Sequence, residues 1–178
     1  MNNRPTFEAS TNHERPKCYL DVDGVINVYG PDTEGLATAS VRTAAGRTYL
    51  ARYSPERVEE LDDLIRELDV DLVWLTTWLH EGLVTQLVDH LGALQGGRLL
   101  KAPLPRMSGF PYRWKVQRLL ADQRVRLAPF CWIDDEQEDS AKEARRTFDV
   151  PSLLLQPNAL EGLSPMHLQS MRSFYEGL

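Results

Sequence analysis

The sequence predicts an α/β fold in which helices cover both faces of a parallel sheet. Apolar runs at residues 17–22, 70–75 and 130–134 alternate with stretches in which apolar residues recur at helical spacing. That alternation is typical of parallel strands joined by crossover helices. Each run ends in polar residues, and ligands bind beyond the carboxyl ends of such strands. We therefore expect a three-layer, Rossmann-like domain with one site at that edge of the sheet.

Length and charge limit the classes of protein to consider. The chain has 178 residues, 42% of them hydrophobic, and a formal net charge of −6. One domain with its own core is predicted over residues 17–178, after a flexible tail at residues 1–16. The negative charge argues against general binding of nucleic acids. No signal peptide or long apolar span is recognised, so a cytoplasmic location is expected.

Local signals place the elements of the first half. The first strand is predicted at residues 17–22, and two strand-like stretches within residues 39–52 predict a hairpin. This hairpin would form a small flap, inserted at residues 28–53. Ser54, Pro55 and Glu56 are typical of a helix start, and a strand follows at residues 70–75. A second helix is predicted at about residues 80–94.

The second half continues the alternation. A short strand is predicted at residues 99–101, and Pro103, Pro105 and Pro111 mark a loop. A helix at residues 113–121 precedes the strand at 130–134. A charged helix at 138–148 and a strand at 152–155 come next. Ser164 and Pro165 begin a last helix that runs to about residue 175.

Two aspartates one residue apart follow the first strand. Asp21 and Asp23 are followed at once by Gly24, and alternation along a strand would place both carboxylates on one face. Such carboxylates repel each other, and Mg²⁺ removes the conflict because it prefers oxygen ligands. Alone, this short pattern fits a polar turn about as well.

Other polar positions come at strand ends or helix starts. Thr76 and Thr77 follow the second strand, Lys115 begins a helix, and Asp134 and Asp135 follow a later strand. In this order the four motifs resemble the haloacid-dehalogenase-like (HAD) superfamily of phosphotransferases, over about residues 17–144. The stretch Val-Trp-Leu-Thr-Thr-Trp at residues 73–78 is similar to a small bacterial and phage branch, some of whose members have been linked to RNA repair.

The resemblance implies a role for each acidic motif residue. Asp21 would be the nucleophile that accepts a phosphoryl group, and Asp23 the general acid and then the general base. Both would contact Mg²⁺, Asp23 through its backbone carbonyl. Asp135 is the favoured further metal ligand. Asp134 would ligate the ion or orient the motif lysine.

The neutral and basic motif residues leave alternatives open. Thr76 would hold a phosphoryl oxygen, and the adjacent Thr77 competes for that role. Lys115 would neutralise the phosphoryl group and the nucleophile, with Lys101 as its rival. Further candidates to line the pocket, none of them favoured, are Asn27, Trp78, Asn158 and His167.

These expectations define a function and its alternatives. The resemblance implies a Mg²⁺-dependent phosphomonoester hydrolase that acts through an aspartyl-phosphate and lacks a large cap domain. Its substrate would be a phosphorylated small molecule or a nucleic-acid end. The alternatives are a 3′-phosphatase of polynucleotide ends and a non-catalytic module that binds a phosphorylated ligand. Arg42, Arg47 and Arg52 of the flap would meet substrate phosphates or lie solvated. Cys18 and Cys131 are expected to be buried, reduced thiols.

Overall fold

The strands and helices follow the predicted alternation. The computed structural model describes residues 14–31, 34–104, 113–136, 142 and 145–178. In chain order the elements are β1 (Lys17–Leu20), β2 (Ala37–Arg42), β3 (Thr48–Tyr53), α1 (Pro55–Glu67), β4 (Asp71–Trp74), a 3₁₀ segment (Thr77–Gly82), α2 (Leu83–Leu91), β5 (Arg98–Leu99), α3 (Trp114–Val125), β6 (Phe130–Ile133), β7 (Ser152–Leu155) and α4 (Pro165–Glu176). Residues 142 and 145–147 are also helical.

Five of these strands form a parallel sheet in the order β5–β4–β1–β6–β7. β1 lies at its centre, and every residue of β1 and β6 is buried. Leu20 is the register partner of both Trp74 and Ile133. The central strands therefore end at the same level. The predicted fold class is confirmed: a parallel sheet covered by helices, with a small separate hairpin and no large cap domain among the described residues.

The first strand is shorter than predicted. β1 ends at Leu20, and the chain turns directly afterwards, because the amides of Ile26 and Asn27 both donate to the carbonyl of Val22 at 2.9 and 2.8 Å. The Asp21 amide still continues the ladder, since it donates to the Ile133 carbonyl at 3.0 Å, whereas Asp23 follows where the chain turns. Strand alternation alone therefore does not position the two carboxylates.

The second predicted helix is also divided. A 3₁₀ segment precedes α2, and it is interrupted where His80 has a ψ of 133° and Glu81 a φ of 61°. A positive φ is unfavourable for a residue with a Cβ. Helical periodicity did not reveal this interruption, because the apolar side chains continue across it.

The predicted hairpin is present and is anchored to the domain. β2 and β3 pair antiparallel. The Arg42 amide and carbonyl bond reciprocally with the side chain of Gln86 on α2, at 3.0 and 2.9 Å. The guanidinium of Arg52 donates to the carbonyls of Val28 and Gly30. Arg52 therefore braces the loop before the hairpin.

The cysteines behave as expected from the sequence. Cys18 and Cys131 are register partners on β1 and β6, both are fully buried, and neither is in a disulfide. Burial raises the pKa of the Cys18 thiol to about 12. Both thiols are therefore neutral, apolar parts of the core.

A charged network lies at the amino-terminal end of β1, opposite to the end that carries Asp21. Asp122 on α3 accepts hydrogen bonds from the Lys17 ammonium at 3.1 Å, the Tyr19 hydroxyl at 2.6 Å and the Arg98 guanidinium at 2.5 and 2.9 Å. Burial alone would raise the pKa of Asp122, but these donors lower it to about 2. Lys17 is fully buried, so Asp122 is the counter-charge that makes its burial tolerable.

Some sequence expectations fall on residues outside the described ranges. The tail at 1–16 lies there except for residues 14–16, and so do Pro105, Pro111 and much of the helix expected at 138–148. Among the described helices, none combines the length and apolarity that crossing a membrane requires. The cytoplasmic location stays a prediction.

Candidate active site

Asp21 lies at the centre of the candidate site. Its carboxylate follows β1 directly and the residue is 3% exposed. Oδ1 accepts from the Val22 amide at 2.7 Å, and Oδ2 accepts from the Lys115 ammonium at 2.5 Å. Burial raises the pKa of Asp21 to about 7, although the positive charge of Lys115 opposes the shift. Asp21 is therefore a buried carboxyl group that is paired with one cation, the Lys115 ammonium.

Lys115 joins two strand ends. It lies in the first turn of α3, and its ammonium donates to Asp21 at 2.5 Å and to Asp134 at 2.8 Å. Burial alone would lower the pKa of Lys115, but the two carboxylates hold it above its usual value. Lys101 is exposed after β5. Of the two sequence candidates, the geometry places only Lys115 against Asp21.

Asp134 and Asp135 have different surroundings. Asp134 is fully buried, and it accepts from Lys115 with one oxygen and from the Glu136 amide at 3.0 Å with the other. The backbone carbonyl of Asp135 accepts from Gln156 at 2.8 Å. Burial, together with the charges of Asp21 and Glu136, raises the pKa of Asp135 to about 6.

These carboxylates form a cage of the kind that holds a divalent cation. One oxygen each from Asp21, Asp134 and Asp135 lies within 4.8 Å of the others. Burial raises the pKa of all three carboxyl groups, and the charge of a neighbouring carboxylate adds to each shift. The donor set is oxygen only, which suits Mg²⁺. The residues therefore fit the metal that the sequence predicted.

Gly24 is part of the same arrangement. A Cβ at this position would lie 2.2 Å from Cγ of Asp135, and the φ of Gly24 is +67°. Only glycine satisfies both the backbone and the neighbouring carboxyl group without displacement. The glycine of the sequence motif therefore makes the space that Asp135 occupies.

The two candidate threonines, Thr76 and Thr77, have different surroundings. Thr76 is fully buried, and its hydroxyl is hydrogen-bonded to Asp21. The same hydroxyl accepts from the amide of Trp78 at 3.3 Å, which caps the 3₁₀ segment. Thr77 is half-buried and faces a neighbouring cavity. The geometry favours Thr76 as the residue next to the reacting group, and its role stays a prediction.

Asp23 lies beside the carboxylate cage. Its side chain is outside the group of oxygens close enough to share an ion. Oδ1 accepts from Asn27 at 2.8 Å and Oδ2 accepts from the Trp78 indole at 2.8 Å. Burial, and then the charge of Asp23, raise the pKa of the nearby Tyr29 hydroxyl. A metal contact through the backbone carbonyl of Asp23 stays a prediction.

Sequence reasoning did not favour the residues that hold Asp23. Asn27 bonds Asp23 with its amide nitrogen and accepts from the Arg52 amide at 3.0 Å with its oxygen. Trp78 lies 55 positions away in the chain. The only signals in the sequence were the positions of Asn27, four residues after Asp23, and Trp78, two residues after Thr76. These positions do not indicate a contact with Asp23 until the fold is known.

The remaining weak candidates lie elsewhere. Asn158 accepts from the Leu160 amide in a turn, and His167 bonds Ser164 in the capping box of α4. The Arg47 guanidinium donates to the hydroxyl of Tyr49 at 3.3 Å on the hairpin.

Comparisons with known proteins agree with this geometry. A family model described as "HAD domain in Swiss Army Knife RNA repair proteins" matches residues 18–168. That range includes every residue of the candidate site described above. No curated protein matches the chain. The chain therefore belongs to the family of HAD domains found in Swiss Army Knife RNA repair proteins, within the HAD hydrolase superfamily.

Proposed function

We propose that the protein is a Mg²⁺-dependent phosphomonoester hydrolase that acts through an aspartyl-phosphate on Asp21. The observation that carries the proposal is the position of Asp21, buried between the Lys115 ammonium and two further carboxylates at one sheet edge. Membership of the HAD superfamily supports a hydrolase. Phosphoryl transfer needs a positioned nucleophile, a proton for the leaving group and positive charge around the phosphoryl oxygens.

The residues of the chain supply these requirements in two steps. One oxygen of Asp21 attacks phosphorus, the bond to the leaving oxygen breaks, and protonated Asp23 gives that oxygen its proton. Asp23, now ionised, takes a proton from water as the water oxygen attacks phosphorus. Asp21 leaves as a carboxylate, and inorganic phosphate is released. The Trp78 indole and the Asn27 amide hold the Asp23 carboxyl group in place between the steps.

Positive charge and hydrogen bonds stabilise the transferring group. Lys115 faces Asp21 and would neutralise the charge that builds on the equatorial oxygens. Thr76 is next to Asp21 and would donate to one of them. Asp21 and Asp135 would hold Mg²⁺, with Asp134 orienting Lys115 from the other side. When bound, Mg²⁺ would neutralise negative charge that builds up during phosphoryl transfer.

The narrower candidate is a phosphatase of RNA or DNA ends that carry a 3′-phosphate. The description of the family supports it, since it names RNA repair. A basic cleft of about 580 Å³ offers a second argument, because Lys142, Arg145 and Arg146 line it together with Gln156. Gln156 also bonds the carbonyl of Asp135, so this cleft adjoins the carboxylate cage. Lys and Arg side chains of this kind contact nucleic-acid phosphates.

A phosphatase screen tests the proposal. The chain is assayed with Mg²⁺, and with Mg²⁺ removed by chelation, on 3′-phosphorylated oligonucleotides, sugar phosphates and an aryl phosphate. We expect metal-dependent release of phosphate, greatest with the oligonucleotides, and none from Asp21→Asn. Turnover that persists in Asp21→Asn would contradict the assignment of the nucleophile. Binding of a phosphorylated probe without any turnover would favour the non-catalytic alternative.

A further inference from the structure

A cavity lies beside Asp23, and Lys115 is not among its described lining residues. It measures about 360 Å³, within the usual range for ligand pockets, and its walls come from the turn after β1, the hairpin and the 3₁₀ segment. We call it the aromatic cavity; its lining residues are Asp23, Asn27, Tyr29, Thr43, Tyr49, Leu50, Thr77, Trp78, His80, Glu81 and Leu83. The three carboxylates of the cage are not among its described lining residues, so metal binding does not account for this cavity.

The position of the cavity identifies the part of a substrate that it would receive. Asp23 gives a proton to the leaving oxygen, so the group attached to that oxygen must extend from Asp23. The cavity begins at Asp23. Its occupant is therefore the leaving group and not the phosphoryl group, which Asp21 would attack and the adjacent Lys115 would neutralise.

The lining favours a flat, uncharged ring system. Tyr29 is 53% exposed, Tyr49 36% and Leu50 62%, so apolar surface is open to a ligand. The rings of Tyr49 and Trp78 are 6.2 Å apart and tilted by 57°. Trp78 therefore does not stack in parallel on the ring of Tyr49. Bases stack on such aromatic side chains in proteins that bind single-stranded nucleic acids.

The charges that line the cavity disfavour a second phosphate there. None of the described lining residues is Lys or Arg, Asp23 and Glu81 are carboxylates, and His80 lies 3.5 Å from Glu81. Glu81 is an acceptor for N–H groups, and every nucleobase carries one on its ring or on an exocyclic amine. A phosphotyrosine side chain has none on its ring. The chemistry of the lining thus matches a nucleoside better than a sugar bisphosphate or a phosphotyrosyl group.

We propose that the aromatic cavity binds the terminal nucleoside of the substrate as the leaving group, with its base stacked on Tyr49. The inference rests on the proposed phosphatase function and adds its specificity. The Arg47 guanidinium donates to the Tyr49 hydroxyl at 3.3 Å and so restricts the ring.

The test compares two 3′-phosphorylated single-stranded oligonucleotides that differ only in whether the terminal residue has a base. For the wild type we expect kcat/KM to be about ten-fold or more higher with the base present, from the affinity that one stacked base contributes. Tyr49→Ala should lose this preference, so that the ratio of kcat/KM between the two oligonucleotides falls towards one. Tyr49→Phe, which keeps the ring, should retain the preference. Met166→Ala, 76% exposed on α4, is the control for surface truncation.

Different results separate this inference from the proposed function. Equal kcat/KM for both oligonucleotides in the wild type, or an equal loss for both in Tyr49→Ala, would overturn the nucleoside site and leave the phosphatase standing. A phosphotyrosine peptide as the preferred substrate would do the same. If no substrate is hydrolysed, saturation-transfer NMR with adenosine still decides. A signal that Tyr49→Ala abolishes supports the cavity, and no signal with the wild type overturns it.

Discussion

Replacing Gly24 by alanine should weaken the metal site while leaving the fold intact. The added Cβ would lie 2.2 Å from Cγ of Asp135, whereas ordinary contact begins at 3.4 Å, so the carboxyl group must retreat by about 1.2 Å. Mg²⁺ demands ligand distances close to 2.1 Å. A displacement of that size removes Asp135 from the ion. We expect affinity for Mg²⁺ to fall by about 10- to 100-fold, the range observed when a metal ligand loses its support.

Gly92→Ala is the matched control. The φ of Gly92 is +66°, against +67° at Gly24, but no atom lies within 4 Å of a Cβ at Gly92. Both variants therefore carry the same backbone strain, about 1–2 kcal/mol. Guanidinium unfolding should show a loss of this size in Gly92→Ala and a larger one in Gly24→Ala, where Asp135 must also be displaced. Only Gly24→Ala should need more Mg²⁺.

The assay measures phosphate release against Mg²⁺ concentration, together with calorimetric titration of Mg²⁺. Gly24→Ala with the Mg²⁺ affinity of the wild type would refute the assignment of Asp135 as a ligand. An equal increase in the Mg²⁺ requirement of Gly92→Ala would show that strain, and not the contact with Asp135, is responsible.

Three further predictions address the other motifs and the charged network. Lys115→Met should lower kcat by about 10²–10³-fold, the usual cost of losing one electrostatic stabiliser, while Lys101→Met stays near wild type in the same phosphatase assay. Thr76→Val should lower kcat by about 10-fold or more through the lost donor, and Thr77→Val should not; equal losses would reverse the assignment. Asp122→Asn should destabilise the protein by about 3 kcal/mol at pH 7, because it leaves a buried ammonium unpaired. The pKa of Asp122 is lowered in the folded state, so its contribution is present above the unfolded pKa of about 4 and is lost towards about pH 2. Denaturant unfolding at several pH values should therefore show the gap between wild type and Asp122→Asn closing over that window.

Strand ends could be predicted because they depend on local pattern. The runs at residues 17–22, 70–75 and 130–134 are apolar enough to be central strands, and parallel strands end at one edge. The structure places Asp21, Thr76 and Asp134 at that edge. The turn at Gly24 was expected, but β1 ends at Leu20, two residues before the predicted bound, because the apolar run does not show where strand pairing stops.

Choices between neighbouring candidates needed side-chain geometry. Thr76 and Thr77 are equally polar in the sequence, yet only Thr76 is fully buried and bonded to Asp21. Lys101 and Lys115 are both close to a predicted element boundary. The first is exposed and the second is bonded to Asp21 at 2.5 Å. Neighbouring residues in the chain point their side chains in different directions, and the type of residue alone does not predict that direction.

The sequence by itself determined the order of the elements, the edge of the sheet that carries the acidic residues and the family. Local hydrophobic period, helix-start signals and motif order contain that information. Only the tertiary structure decided that Trp78 and Asn27 hold Asp23, that Gly24 makes room for Asp135, and that the hairpin encloses an aromatic cavity. The physical reason is that each of these depends on the packing of segments distant in the chain or on backbone dihedrals, to which short-range composition is insensitive.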